Sequence, residues 1–288
     1  MKTITKDNHI FTMSKNNVPS MFADSGETIV FETLDALANK ITNENQVLDD
    51  FDWNAVNPAT GPLFVNGTMP GDILKVKIQK IEISNKGVLM TIPNIGPLPT
   101  QVTSSIKIIE ILGDKAIFNE KIQIPLNKMI GVIGTAPKGN DINCGTPCLH
   151  GGNMDCIEVK EGATIYLPVN VKGALLAIGD LHAAMADGEV GCTGIEVSGK
   201  ATITVEVIKG DMPTPFIENE THVMTLYSDE DLNVAADMAV RNMHSYLTTK
   251  GFTPNEAAML LSIAGDTKIC QIVDPKKTCR VQIKKKYI

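Results

Sequence analysis

Ala201-Thr202-Ile203-Thr204-Val205-Glu206-Val207-Ile208 alternates without a break. Ile203, Val205 and Val207 fall on one side, Thr202, Thr204 and Glu206 on the other. A period of two marks a strand with one face in a core and the other toward water. Working outward, Leu74, Val76 and Ile78 alternate in the same way, but Ile81 and Ile83 fall out of phase. That break predicts a bulge between the two halves. Strand-like runs recur at 27–32, 87–92, 105–111, 116–124 and 164–170, separated by clusters such as Pro93-Asn94-Ile95-Gly96-Pro97-Leu98-Pro99. Short strands at this spacing predict a mainly β chain with a β-sandwich or jelly-roll-like body.

Helical signals gather toward the C-terminal side. A short helix is expected over 34–40. Ser228-x-x-Asp231 reads as a capping box, followed by the apolar stripe Leu232, Ala235, Ala236, Ala239, Met243, Tyr246 and Leu247. Lys250-Gly251 ends that helix in the way C-termini prefer. Thr253-Pro254-Asn255-Glu256 opens another, with Pro at its first position, and Gly265 closes it. A hairpin with strands at 268–273 and 278–283 and a turn at Asp274-Pro275 completes the pattern. The expected organisation is a β-rich body over 1–220 that carries the site motifs, and a small α+β segment over 221–288 packed on it.

Composition narrows the function classes. A net charge of −7 opposes a nucleic-acid binder, which needs a basic face. No run approaches the length of a membrane span, and Met1-Lys2-Thr3-Ile4-Thr5-Lys6-Asp7 has no apolar signal core, so a cytoplasmic protein is expected. The six cysteines are too sparse for a disulfide framework and are expected to be reduced. Cys144-x-x-x-Cys148-x-His150 lacks the second Cys pair of a structural zinc site. Gly131-Val132-Ile133-Gly134 lacks the Lys-Ser/Thr of a phosphate loop and is read as close packing of two strands.

The chemistry lies between residues 150 and 196. Asp180, His182, Asp187, Glu189, Cys192 and Glu196 stand on a background of Gly, Ala and small apolar residues. Oxygen and imidazole donors together suit a divalent metal. Asp180 and His182 are two apart, so an extended segment at 175–182 would aim both at one point. Asp187 and Glu189 repeat the spacing. His150-Gly151-Gly152-Asn153-Met154-Asp155 adds a second His, an Asp, and a glycine pair that permits a sharp turn or a close approach to a ligand.

These two motifs, with Thr193-Gly194-Ile195-Glu196, resemble the acetamidase/formamidase family. So do Ser25-Gly26-Glu27-Thr28, Asn57-Pro58-Ala59-Thr60-Gly61-Pro62, Pro70-Gly71-Asp72, Leu261-Ser262-Ile263-Ala264-Gly265-Asp266 and Gln271-Ile272-Val273-Asp274-Pro275, in the same order. The resemblance runs over about residues 5–283. It implies hydrolysis of short aliphatic amides such as formamide and acetamide to the acid and ammonia, a bound divalent metal, and a homodimer or higher homo-oligomer. The expected metal ligands are Asp180, His182, His150 and Asp155, with zinc foremost and calcium or another divalent ion as alternatives. Glu189, Glu196 and Asp187 are the catalytic candidates. Asn153, Gly151 and Gly152 are the substrate-binding candidates. Two other readings stay open: a metal-containing β protein that only binds a small ligand, and an amidase whose nucleophile is Cys192. The role of Cys156 is not assigned.

Overall fold

A computed structural model describes residues 1–46 and 51–288. The chain is mainly β. A nine-stranded and an eleven-stranded sheet share one apolar core. The Gly199–Ile208 strand runs inside the nine-stranded sheet, between Thr28–Thr33 and Ile73–Ile83. Its Ala201, Ile203 and Val205 belong to the same buried cluster as Ile130, Ile133, Leu176 and Ile178 of the other sheet. The predicted bulge is present: Thr202 pairs with Lys80 and Ile203 with Ile78, leaving Gln79 as the extra residue. The insertion brings Ile81 back to the side of Ile78, and both are fully buried.

The last strands extend this same sheet. His222–Asp229, Lys277–Lys284 and Gly265–Gln271 follow Phe216–Glu218 in its order. Helix α1 (Leu232–Thr249) lies against them. Ala235, Ala239, Met243 and Leu247, spaced four apart, are buried with Phe216, Val223, Val281 and Ile283 in a second, smaller core. Helix α2 (Pro254–Ala264) starts with Pro254 as expected, and with a capping box in which Thr253 and Glu256 bond each other's backbone N–H. Among the described residues no helix is long and apolar enough to cross a membrane.

Three local expectations are corrected. The 116–124 run is two strands, Lys115–Ile117 and Gln123–Pro125, folded into a hairpin. Asn119 Oδ1 accepts from the N–H groups of Lys121 and Ile122 and makes the turn. Ser228 does not cap α1: the His222–Asp229 strand runs through it, and its hydroxyl bonds Thr278 Oγ1 across the sheet at 3.0 Å. The cap is Asp231, which accepts from Asn233 N. Residues 34–40 form turns, not a helix. Asp35 Oδ1 accepts from the N–H groups of Leu37 and Asn39, at 2.9 and 2.6 Å. Ala38 and Asn39 take φ of 55° and 57°. A short polar side chain has here outcompeted the helical ladder for its backbone donors.

Asp35 carries a pH dependence. Burial pushes its carboxyl up from 3.8 to about 6, against the pull of its two N–H partners. Between those values the folded chain holds a proton that the unfolded chain releases, so stability falls as the pH rises through the window. Asp35→Asn keeps an acceptor for both N–H groups and has no charge to bury. It is expected to stabilise the protein at pH 8, by up to about 3 kcal/mol, and to have no effect near pH 3. Melting curves at both pH values check this; the same difference at each would refute it.

Candidate active site

The Leu176–His182 strand positions the site. All seven of its residues are buried, two of them ionisable. It pairs with Met129–Gly134, Ala59–Val65 and Glu196–Val197, and the last pairing sets Glu196 directly beside His182. Gly151–Asn153 pairs with Met129–Gly134 and delivers Asp155 two residues later. Asp180 and His182 do converge, but not through a regular strand. Asp180 has φ +54°, a kink facing Gly131. A Cβ at Gly131 would collide with the carboxylates of Asp155 and Asp180. Asp155 and Glu189 are also left-handed, with φ +43° and +47°. Three strained carboxylates in one place mark a functional site more than a packing need.

His182 Nε2 stands at the centre. It lies 3.1 Å from Glu196 Oε1, 3.3 Å from Asp180 Oδ1 and 4.0 Å from Asp155 Oδ1. Asp155, Asp180 and His182 form one close group, and His182, Glu189 and Glu196 another. Burial raises the carboxyls of Asp155, Glu189, Glu196 and Asp274 well above the ordinary range. Neighbouring carboxylates add to it: Asp180 acts on Asp155 and Asp274, and Asp155 on Glu189. In Asp180 burial also works upward, but His182 holds the group below its usual value. Burial would lower His182, yet Glu196 and Asp180 keep it well above its usual value. Among the described residues, no group bonds either oxygen of Asp155, Oε2 of Glu196 or Oε2 of Glu189. Buried oxygens with raised affinity for protons, clustered around one imidazole, fit a divalent cation that would take the protons' place. Asp155, Asp180, His182 and Glu196 therefore form a cluster able to hold a metal ion.

A cavity of about 400 Å³ opens over the cluster, and Asn153, Asp180, Glu189 and Glu196 line it. Other candidates lie elsewhere. Asp187 is outside both close groups. Arg280, itself 2 % exposed, grips both of its oxygens, at 2.5 and 2.8 Å, so Asp187 anchors the loop that carries Glu189. His150 is buried with neither ring nitrogen bonded, and it too is outside the close groups. Burial, helped by the Lys276 ammonium, pulls its imidazole down to about 4. Gly151 and Gly152, at φ +96° and +86°, let the backbone lie against Gly134, and the His150 ring fills the space a side chain at Gly152 would need. Neither glycine lines the cavity. Of the Gly-x-x-Gly pair, Gly134 packs strands closely, against Gly152 N, while Gly131 makes room for the carboxylates.

Four polar residues in or beside the site were not singled out from sequence. Asp274 accepts from Asn153 Nδ2 at 3.0 Å. Gln271 Oε1 fixes its turn by accepting from the N–H groups of Val273 and Asp274. Asn57 Nδ2 approaches Asp180 Oδ2 at 3.5 Å. Asn143 lines the cavity from the stretch before His150. Asn57 and Asp274 stand in segments that carry the resemblance, and Asp274-Pro275 also reads as a turn, but neither segment assigns them a role at the site.

The Acetamidase/Formamidase family model matches residues 5–144 and 141–285, and the chain belongs to that family. The crystal structure of an acetamidase from Bacillus halodurans is similar over 99 % of this chain and 98 % of that one, with 45 % identity and a TM-score of 0.97. That of a predicted acetamidase/formamidase from Thermoanaerobacter tengcongensis is similar over 99 % and 96 %, with 46 % identity and a TM-score of 0.96. The acetamidase of Mycolicibacterium smegmatis is 34 % identical over 139 residues, which are 40 % of this chain and 34 % of that protein. The chain spans 34–60 % of the length of the curated relatives it matches.

Proposed function

We propose that the protein hydrolyses linear amides of the formamide and acetamide kind to the carboxylic acid and ammonia. In this reading it uses one divalent metal, zinc foremost, held by Asp155, Asp180, His182 and Glu196. One observation carries the reading: buried carboxylate oxygens without hydrogen-bond partners converge on one imidazole at a cavity wall. The relatives named above are described as acetamidases, which agrees with it.

An amide resists water because its carbonyl is a weak electrophile and its amine a poor leaving group. A divalent ion bound in the cluster supplies a more acidic water and a polarised carbonyl. The chain's own groups handle the protons and the substrate. Glu189 Oε1 is fixed by Gly194 N at 3.0 Å, and Oε2 is free. Its raised proton affinity suits a group that takes a proton from the attacking water and returns it to the departing nitrogen. Asn153 donates to Asp274 and leaves its Oδ1 unbonded. That oxygen can accept from the substrate's N–H and turn the carbonyl toward the cluster.

A Cys192 nucleophile is poorly supported. Burial, then the carboxylates of Glu196 and Asp274, push its thiol up to about 12, so almost no thiolate exists at neutral pH. The metal reading is tested by chelation. Removing the metal is expected to abolish ammonia release from acetamide, and added zinc to restore it. Metal affinity should fall as the pH is lowered, because protons compete for the same raised carboxyls. Full activity in verified metal-free protein would sink the reading; metal-loaded protein that binds but never hydrolyses an amide would favour the ligand-binding alternative.

The oligomer proposal rests on α2. Only Ala257 of its eleven residues is buried, while Met259 and Ile263 are 67 % and 85 % exposed. An apolar helix left open to water suits a homo-oligomer interface. Sedimentation is expected to give a dimer or larger assembly that Ile263→Asp weakens; a monomer across the accessible concentration range would exclude it.

A further inference from the structure

The cavity is larger than the proposed reaction at its floor requires. Its volume of about 400 Å³ equals roughly a dozen water-sized volumes of ~30 Å³. Acetamide fills about two or three of these. Much of the remaining wall is apolar, with Asn54, Asn57, Asn143 and Thr146 also lining it. Leu37 and Met90 belong to one buried cluster, with Ile92 and Phe51 packed against it, and Leu37, Met90 and Ile92 line the cavity. Trp53 continues the wall to the rim, 45 % exposed, its ring 4.8 Å from that of Phe51. Asn153, Asp180, Glu189 and Glu196 line the part of the cavity formed by the carboxylate cluster.

We propose that the cavity selects primary amides with an apolar acyl chain of medium length. The amide group sits at the carboxylate cluster, and the chain lies along Leu37, Met90, Ile92 and Trp53. This rests on the amide-hydrolase reading and extends it from the reacting group to the rest of the substrate. A wall that holds the acyl chain through the reaction lowers the barrier measured from free substrate, so the effect falls on kcat/KM. Each fully buried methylene raises kcat/KM about fourfold, the equivalent of ~0.8 kcal/mol.

The experiment measures ammonia release from formamide, acetamide, butyramide and hexanamide by the zinc-supplemented protein. The expected kcat/KM rises along the series, with hexanamide at least roughly tenfold above acetamide. Trp53 is the only tryptophan of the chain, so its emission reports directly on the apolar wall. In the Glu189→Gln variant, hexanamide is expected to shift that emission to the blue and acetamide to leave it in place. Ile92→Trp, which fills the wall, is expected to lower the hexanamide-to-acetamide ratio of kcat/KM by about tenfold or more. Trp53→Ala, at a position that is 45 % exposed, is expected to lower the same ratio. If acetamide turns over and kcat/KM falls toward hexanamide, the acyl-chain assignment is overturned while the amidase reading stands. An unchanged ratio in both variants overturns it as well. If no amide of the series releases ammonia, the amidase reading fails and takes this inference with it.

Discussion

His182→Ala is expected to lose the metal and the turnover together. His182 Nε2 is the one nitrogen donor in both close groups, and the carboxylates of Glu196 and Asp180 lie 3.1 and 3.3 Å from it. In the proposed site, removing it would delete a ligand and leave buried acidic groups facing each other. Losing one partner of a buried charged set costs about 3–5 kcal/mol. Metal affinity should fall by more than roughly 100-fold, the upper end for residues that only orient a ligand, and ammonia release should fall with it. Metal analysis after dialysis and a turnover assay decide the matter. A His182→Ala protein that keeps its metal and its rate would show that His182 is a packed core histidine and that the metal sits elsewhere.

Glu189→Gln should separate proton transfer from metal binding. The two side chains have the same shape, and the glutamine carbonyl can still accept from Gly194 N, 3.0 Å away in the parent. What disappears is a carboxylate oxygen that no group among the described residues bonds. Metal content and melting temperature should stay close to those of the parent, while the rate drops by roughly 10²- to 10⁴-fold, the range for a positioned general acid–base. Cys192→Ala, at φ +97° with a thiol held neutral, should lose far less. A dead Cys192→Ala protein beside an active Glu189→Gln protein would reverse the assignment in favour of the thiol.

The site was partly legible because its donors sit in one dense segment. Asp180, His182, Glu189 and Glu196 fall within seventeen residues and needed no distant information, while Asp155 came from the His-Gly-Gly motif before them. Asp187 shows the limit. By spacing it is the twin of Glu189, yet one is held by Arg280 and the other lines the cavity. Arg280 lies ninety-three residues further along the chain, where no local pattern reaches. Asp274 was hidden for the opposite reason: an Asp-Pro in a hairpin explains itself as a turn. In the fold, long alternating strands and capped helices were readable, whereas strands of two or three residues, such as His9–Ile10, Gly151–Asn153 and Glu196–Val197, are too short to show a period. Ser228 had the right local chemistry for a cap and lost to a cross-strand partner, Thr278.

Gly131 and Gly194 carry none of the chemistry. A methyl group on the first would strike Asp155 and Asp180, and on the second the His182 ring. Any side chain at either position therefore displaces the donors, whatever its polarity. When every residue is varied in turn, these two should tolerate exchange as poorly as the ligands do. The site thus depends on two vacancies as much as on its reactive groups, and neither vacancy can be traded for a better side chain.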